Sequence, residues 1–255
     1  MRTSTHPQNT HQNTSESGNA FWFILLAIAL LVALTVTITK SGENTEETGQ
    51  RDRDRIQASD IMRQAKTMEN AIQQMRLAGI PENDISFENS FVSGYQNASC
   101  PDGQPCRIFG SGGAGLSYKL PPSDWLDGSQ NAQDLYGEWY FFATTCVPGI
   151  GTGDSGCNAD AASTELIVAL PWISKSLCLE INRMVGIPNL TNPVLPPENV
   201  GSAYSAGLDK FTGTYTASSI INSNADAFLG KPSGCFAGDT DPDTGYHFYH
   251  VLIAR

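Results

Sequence analysis

The stretch that decides the fold runs from residue 51 to residue 81, RDRDRIQASDIMRQAKTMENAIQQMRLAGIP. Within it Ala58, Ile61, Ala65, Met68, Ile72 and Met75 recur at alternating spacings of three and four. That rhythm puts them on one face of a helix with about 3.6 residues per turn. Gly79 and Pro81 stop the helix, because one favours a left-handed backbone and the other lacks an N–H. The opposite face carries Arg55, Asp60, Arg63, Lys66, Glu69 and Arg76, which suits water. The apolar stripe has two candidate partners: a sheet of its own chain, or the same helix in a second copy.

Upstream, residues 40–50 are polar, hold Gly42 and Gly49, and carry Glu43, Glu46 and Glu47. They read as a hinge, or else as a weakly helical, solvated bridge, and the hinge is the simpler reading. From Ala20 to Ile38 the chain is uncharged and apolar except for Thr35 and Thr37. As a helix this segment rises roughly 28 Å, close to the thickness of a bilayer core, so the sequence predicts a membrane-spanning helix. Trp22 beside Phe21 and Phe23 suits the headgroup level at its start. The first 18 residues are rich in Ser, Thr, Asn, Gln and His, with too little apolar surface to offset the entropy of ordering. The chain thus divides into a polar leader (1–18), a transmembrane helix (19–39), a hinge (40–50), an amphipathic helix (51–80) and a globular domain (81–255).

Downstream of Pro81 short β-type runs alternate with Gly, Pro, Asn and Asp clusters. The predicted strands are Ile85 to Val92, Gly115 to Leu120, Glu138 to Thr144, Leu166 to Leu170, Phe211 to Thr216 and Tyr246 to Ile253. One helix interrupts them, where Ile173, Leu177, Ile181, Met184 and Val185 keep helical spacing until Gly186 and Pro188. The order helix, strands, helix, strands predicts an α+β domain with a mainly antiparallel sheet. In front of it stands a long N-terminal helix, membrane-spanning and then amphipathic.

Charge narrows the function. The 255 residues hold 15 Lys and Arg against 26 Asp and Glu, a net charge of −11, and residues 81–255 carry seven basic and 18 acidic residues. An acidic surface repels polyphosphate, so no nucleic-acid partner is expected. The same segment holds every cysteine, Cys100, Cys106, Cys146, Cys157, Cys178 and Cys235. An even number in a Gly-rich acidic domain points to disulfides in an oxidising compartment. Zinc would want Cys-x2-Cys pairs, whereas the closest spacing here has five intervening residues. Six cysteines allow 15 connectivities, among which loop economy favours Cys100 with Cys106, Cys146 with Cys157, and Cys178 with Cys235.

A polar leader ending in Gly18, an apolar helix beginning at once, an amphipathic continuation and a β-rich, disulfide-bearing domain together resemble the type IV pilins and the pseudopilins of type II secretion. The resemblance implies cleavage by a prepilin peptidase between Gly18 and Asn19, an inner-membrane anchor, and assembly with other copies or related subunits through the N-terminal helix. It implies a non-enzymatic subunit whose C-terminal domain lies in the periplasm or at the cell surface. The sequence departs from the family pattern twice: Phe23 stands where the fifth mature residue is usually Glu, and Glu16 replaces basic residues before the Gly. Lys40, Arg51, Arg53 and Arg55 after the anchor outnumber Arg2 before it, which by charge alone predicts the opposite orientation. The cysteines and the length of the domain place it outside the cytoplasm instead. The alternative is a single-pass anchored periplasmic binding domain that never polymerises.

Gly153-Asp154-Ser155-Gly156 matches the surroundings of a nucleophilic serine in chymotrypsin-like proteases. A serine needs a histidine base, and His6 and His11, the histidines upstream, are both in the leader. No catalytic residue is therefore assigned. Asp239, Asp241 and Asp243 alternate before Gly245, so their carboxylates could converge on calcium; major pseudopilins often carry calcium in a loop near the C-terminus. His247 and His250 fall on opposite faces of a strand and make poor joint metal ligands. Trp125, Trp139, Trp172, Tyr140, Phe141 and Phe142 could form a sugar or peptide platform, but aromatics in strands are more often core.

Overall fold

Helix α1 runs from Ser17 to Leu77 without interruption. This computed structural model describes residues 17–151, 157, 163–191, 193–198, 209–217, 219–222, 226–238 and 245–255, with the side chains of 17–20 and 36–48 left aside. The chain falls into two units, Met1–Arg51 and Asp52–Arg255.

Two expectations about the first unit are corrected. Residues 40–50 are helical rather than a hinge. Gly42 and Gly49 each cost a helix only about 1 kcal/mol relative to Ala, and the intervening Glu residues are good helix formers. The membrane-spanning part of the expected fold is also overturned, since among the described residues no helix is long and apolar enough to cross a membrane.

In the second unit the partner of the apolar stripe is the chain's own sheet. The strands are β1 (Tyr140–Cys146), β2 (Glu165–Ile173), β3 (Leu190–Thr191), β4 (Val194–Leu195), β5 (Ser219–Ile220), β6 (Ser233–Ala237) and β7 (Tyr246–Ile253). Five of them form one sheet in the order β5-β1-β2-β7-β6, antiparallel except for the β1–β5 pair, and β3–β4 is a separate short hairpin. Successive strand residues point to opposite faces, and both faces are covered. On one, Phe141, Val168 and Phe248 join a core with Ala58, Ile61, Ala65 and Ile72 of α1. On the other, Phe142, Ile167, Ala169 and Tyr249 meet Ile221, Phe228 and Phe236. Double coverage explains why β2 is buried along its whole length.

Helix α2 (Lys175–Val185) starts where the Ser174 hydroxyl accepts from Leu177 N–H and ends at Gly186, whose φ of 71° is left-handed. It packs through Leu177, Cys178 and Ile181. Edge strand β6 is closed by α2: Asn182 donates to the Cys235 carbonyl and accepts from the Cys235 N–H, each at 2.8 Å, while Cys178 and Cys235 form a disulfide. A side-chain amide thus stands where a further strand could pair. The other disulfides join Cys100 to Cys106 and Cys146 to Cys157, so the expected pairing holds at all six cysteines.

Three predicted strands are absent as such. Ile85 to Val92 and Gly115 to Leu120 contribute only isolated bridges, Ser86 with Arg107 and Leu116 with Phe109. Positive φ at Gly110 and Gly115 interrupts the second. Phe211 and Thr216 donate single hydrogen bonds to Phe141 and Ala143 of β1, with Gly213 at a φ of 98° turning the chain between them.

Candidate functional site

The first feature is a surface rather than a pocket. Phe21, Trp22, Phe23, Ile24, Leu25, Leu26, Ile28, Leu30, Leu31, Val32 and Leu34 are between 52% and 70% exposed. Each helical residue turns about 100° from the last, so this run is apolar in every direction around the axis. The hydroxyl of Thr35 donates to the Leu31 carbonyl at 2.6 Å and thereby satisfies itself within the helix. Gly18 and Asn19 lie in the helical backbone just before this surface.

Several residues singled out in the sequence fall outside the described residues: Asp239, Asp241 and Asp243, and the Gly153-Asp154-Ser155-Gly156 run. Among the described residues no cluster of His, Cys, Asp and Glu has the make-up of a metal site. The aromatic residues weighed as a platform, Trp125, Trp139, Trp172, Tyr140, Phe141 and Phe142, are all buried and belong to the core.

A serine, a histidine and a carboxylate do meet, but not where the sequence suggested. His250 on β7 lies 2.5 Å through Nδ1 from the Ser233 hydroxyl and 2.8 Å through Nε2 from Glu69 of α1. A carboxylate can only accept, so Nε2 carries the proton and Nδ1 accepts from Ser233. Burial holds the imidazole below its usual range, against the raising pull of Glu69. This is the order of a nucleophile, a base and an orienting acid. Ser233 and His250 are nevertheless buried, and neither lines either of the two clefts described below. The trio bridges α1 and the sheet and acts as a clamp between them. No local motif could have revealed it, since Glu69 stands 181 positions before His250.

Two further buried groups are perturbed. His247, on the face opposite His250, is held down to about 3 by burial. Glu165, at the start of β2, has no exposed surface, and burial pushes its carboxyl up to about 7 despite the N–H that Val147 donates to Oε2 at 2.7 Å. Its Oε1 has no hydrogen-bond partner among the described residues.

Two clefts flank the segment around Tyr118. One, of about 440 Å³, lies between α1 at Arg63 and Thr67 and residues Gly115 to Lys119. The other, of about 580 Å³, lies on the side of Glu88, Phe91 and Arg107. Phe109, Leu116, Ser117 and Tyr118 line both.

Comparison with known proteins adds no relative: no family model, no curated protein and no solved structure matches the chain.

Proposed function

We propose that the protein is a non-enzymatic, pilin-like or pseudopilin-like subunit that assembles with other copies through the N-terminal part of α1. The observation that carries this reading is the exposed apolar surface between Phe21 and Leu34. Soluble proteins rarely leave a contiguous apolar surface of this extent uncovered. Burying each Leu, Ile or Phe side chain contributes about 1.5–3 kcal/mol, so covering the surface is a strong drive to association. Because the residues point in every direction, one neighbouring helix would hide only part of them. Several copies packed around one another fit better than a dimer.

The paired cysteines support an oxidising compartment for the globular domain. Processing between Gly18 and Asn19 belongs to the same reading, since it would place the new terminus directly before the apolar surface. The deciding experiment measures the mass of the full chain in aqueous buffer by analytical ultracentrifugation, alongside Ile28→Asp. Assemblies larger than a dimer, lost in the variant, are expected. A monomeric chain, or one that enters lipid vesicles as single copies, would overturn the reading. The N-terminus of protein isolated from its own cell is expected at Asn19.

A further inference from the structure

The groove beside Tyr118 is built differently from the apolar helix surface, and it points to a ligand of another kind. Phe91 is 62% exposed, and its ring lies over that of Tyr118 with centroids 5.8 Å apart and planes 24° apart. Tyr118 is fixed in turn by an edge contact with Phe109 at 5.1 Å and by the Trp139 N–H, which donates to its hydroxyl at 3.0 Å. Phe91 is held outward by the turn that precedes it, in which Asn89 Oδ1 accepts from the N–H groups of Phe91 and Val92 at 2.9 and 2.8 Å. An apolar ring that could have folded inward is thus presented to solvent by its own backbone.

The rim of the groove is polar and already oriented. Arg107 pairs with Glu88 and, at 2.5 Å, with Asp102, and its buried Nε–H has no hydrogen-bond partner among the described residues. Ser90 and Ser117 add exposed hydroxyls to the lining. The groove's volume of about 580 Å³ falls within the range of small-ligand sites, roughly 300–1,000 Å³.

We propose that this groove binds a neutral oligosaccharide. The flat C–H face of a pyranose packs on the open face of Phe91, and its hydroxyls hydrogen-bond to the Glu88 carboxylate, the Arg107 guanidinium and the two serines. Charge selects against the main competitor. Two carboxylates share one guanidinium, and the surrounding domain is acidic, so a phosphate or carboxylate ligand meets net repulsion. A single aromatic step edged by polar groups also lacks the repeated anchors that an amphipathic helix requires. Groups held in place by ion pairs and a turn lose little freedom on binding, which favours affinity.

The test presents the full chain to a printed array of neutral, sialylated and sulfated glycans, and measures the affinity for the strongest neutral binder by titration. Binding to neutral glycans is expected, weakened at least tenfold in Phe91→Ala and about tenfold in Glu88→Gln. Phe91→Trp keeps the ring and should retain binding, as should Leu120→Ala, an exposed apolar residue that does not line the groove. A thermal melt of each variant confirms folding. An array with no neutral binder, a preference for sulfated or sialylated glycans, or equal affinity in Phe91→Ala would overturn the proposal.

Discussion

Helix α1 carries two apolar stretches that solve the same problem in opposite ways. Between Ala58 and Met75 the stripe Ala58, Ile61, Ala65, Met68, Ile72 and Met75 keeps to one face and is at most 6% exposed, because the sheet of the same chain covers it. Between Phe21 and Leu34 apolar residues occupy every position, and the large ones are at least half exposed. A periodic stripe is complete within one chain. A helix apolar all round must obtain its cover from outside that chain, and the difference separates residues that hold the domain together from those available for assembly.

The largest expected effect tests that division directly. Ile61→Asp places a carboxylate among fully buried neighbours and should destabilise the domain by more than about 4 kcal/mol, enough to unfold many domains. Ile28→Asp should leave the unfolding midpoint of the domain unchanged while abolishing association. Denaturant melts with sedimentation on both variants check the pair. An equal loss of domain stability in the two would erase the distinction.

Next in size is the disulfide that shares a core with the buried stripe. Cys178–Cys235 closes a separation of 57 residues and Cys100–Cys106 one of six. Loop-closure entropy gives about 4 and about 2 kcal/mol respectively. Replacing each pair by alanine should lower stability in that order, as read from urea midpoints, with association through residues 21–34 unaffected.

These expectations also show what the sequence could convey. The stripe and the end of α1 were legible because period and terminator are local signals, as were Gly186 at the end of α2 and the whole of β7. Loop economy was enough for the cysteines, since each pair is close in the folded chain. Residues 40–50 misled because Gly reads as a breaker, although two glycines in an otherwise helix-competent run cost less than interrupting it. Strand β6 was missed because Gly234 weakens its signal; the glycine is required where a Cβ would strike Ile187 and Tyr249. The Ser233–His250–Glu69 clamp and the Phe91 groove were invisible because each joins residues that only the tertiary fold brings together.

A third prediction uses pH to tell the two regions apart. Residues 21–35 contain no titratable side chain, so association through them should not vary with pH. The domain should vary, through Glu165. Its carboxyl is held near 7 in the fold, above the ordinary 4.5, so the folded form keeps a proton that the unfolded form has released. Stability is therefore greatest below about 4.5 and falls as pH rises to about 7, by roughly 3 kcal/mol at about 1.4 kcal/mol per pH unit. Glu165→Gln should flatten this slope and raise the melting temperature at pH 8. A wild-type slope that survives in the variant would assign the effect to another group.

The smallest effect concerns the point where the buried half of α1 is tied to β7. Ser233→Ala removes the hydroxyl that donates to His250 Nδ1 and leaves a buried acceptor unpaired, at a cost of about 1–2 kcal/mol. The bond from Nε2 to Glu69 remains, so α1 should stay docked and the loss should be far below that of Ile61→Asp. The pH dependence has the opposite sign to that of Glu165. Burial lowers the affinity of the folded imidazole for a proton, so below about 6.5 the unfolded chain gains a proton that the folded chain resists, and stability falls with acid. His250→Gln, which cannot be protonated, should lose that acid limb while retaining a donor toward Glu69. Urea unfolding of wild type, Ser233→Ala and His250→Gln at pH 5 and pH 7.5 separates the terms. A wild-type acid limb unchanged in His250→Gln would show that the clamp does not report on the docking of α1.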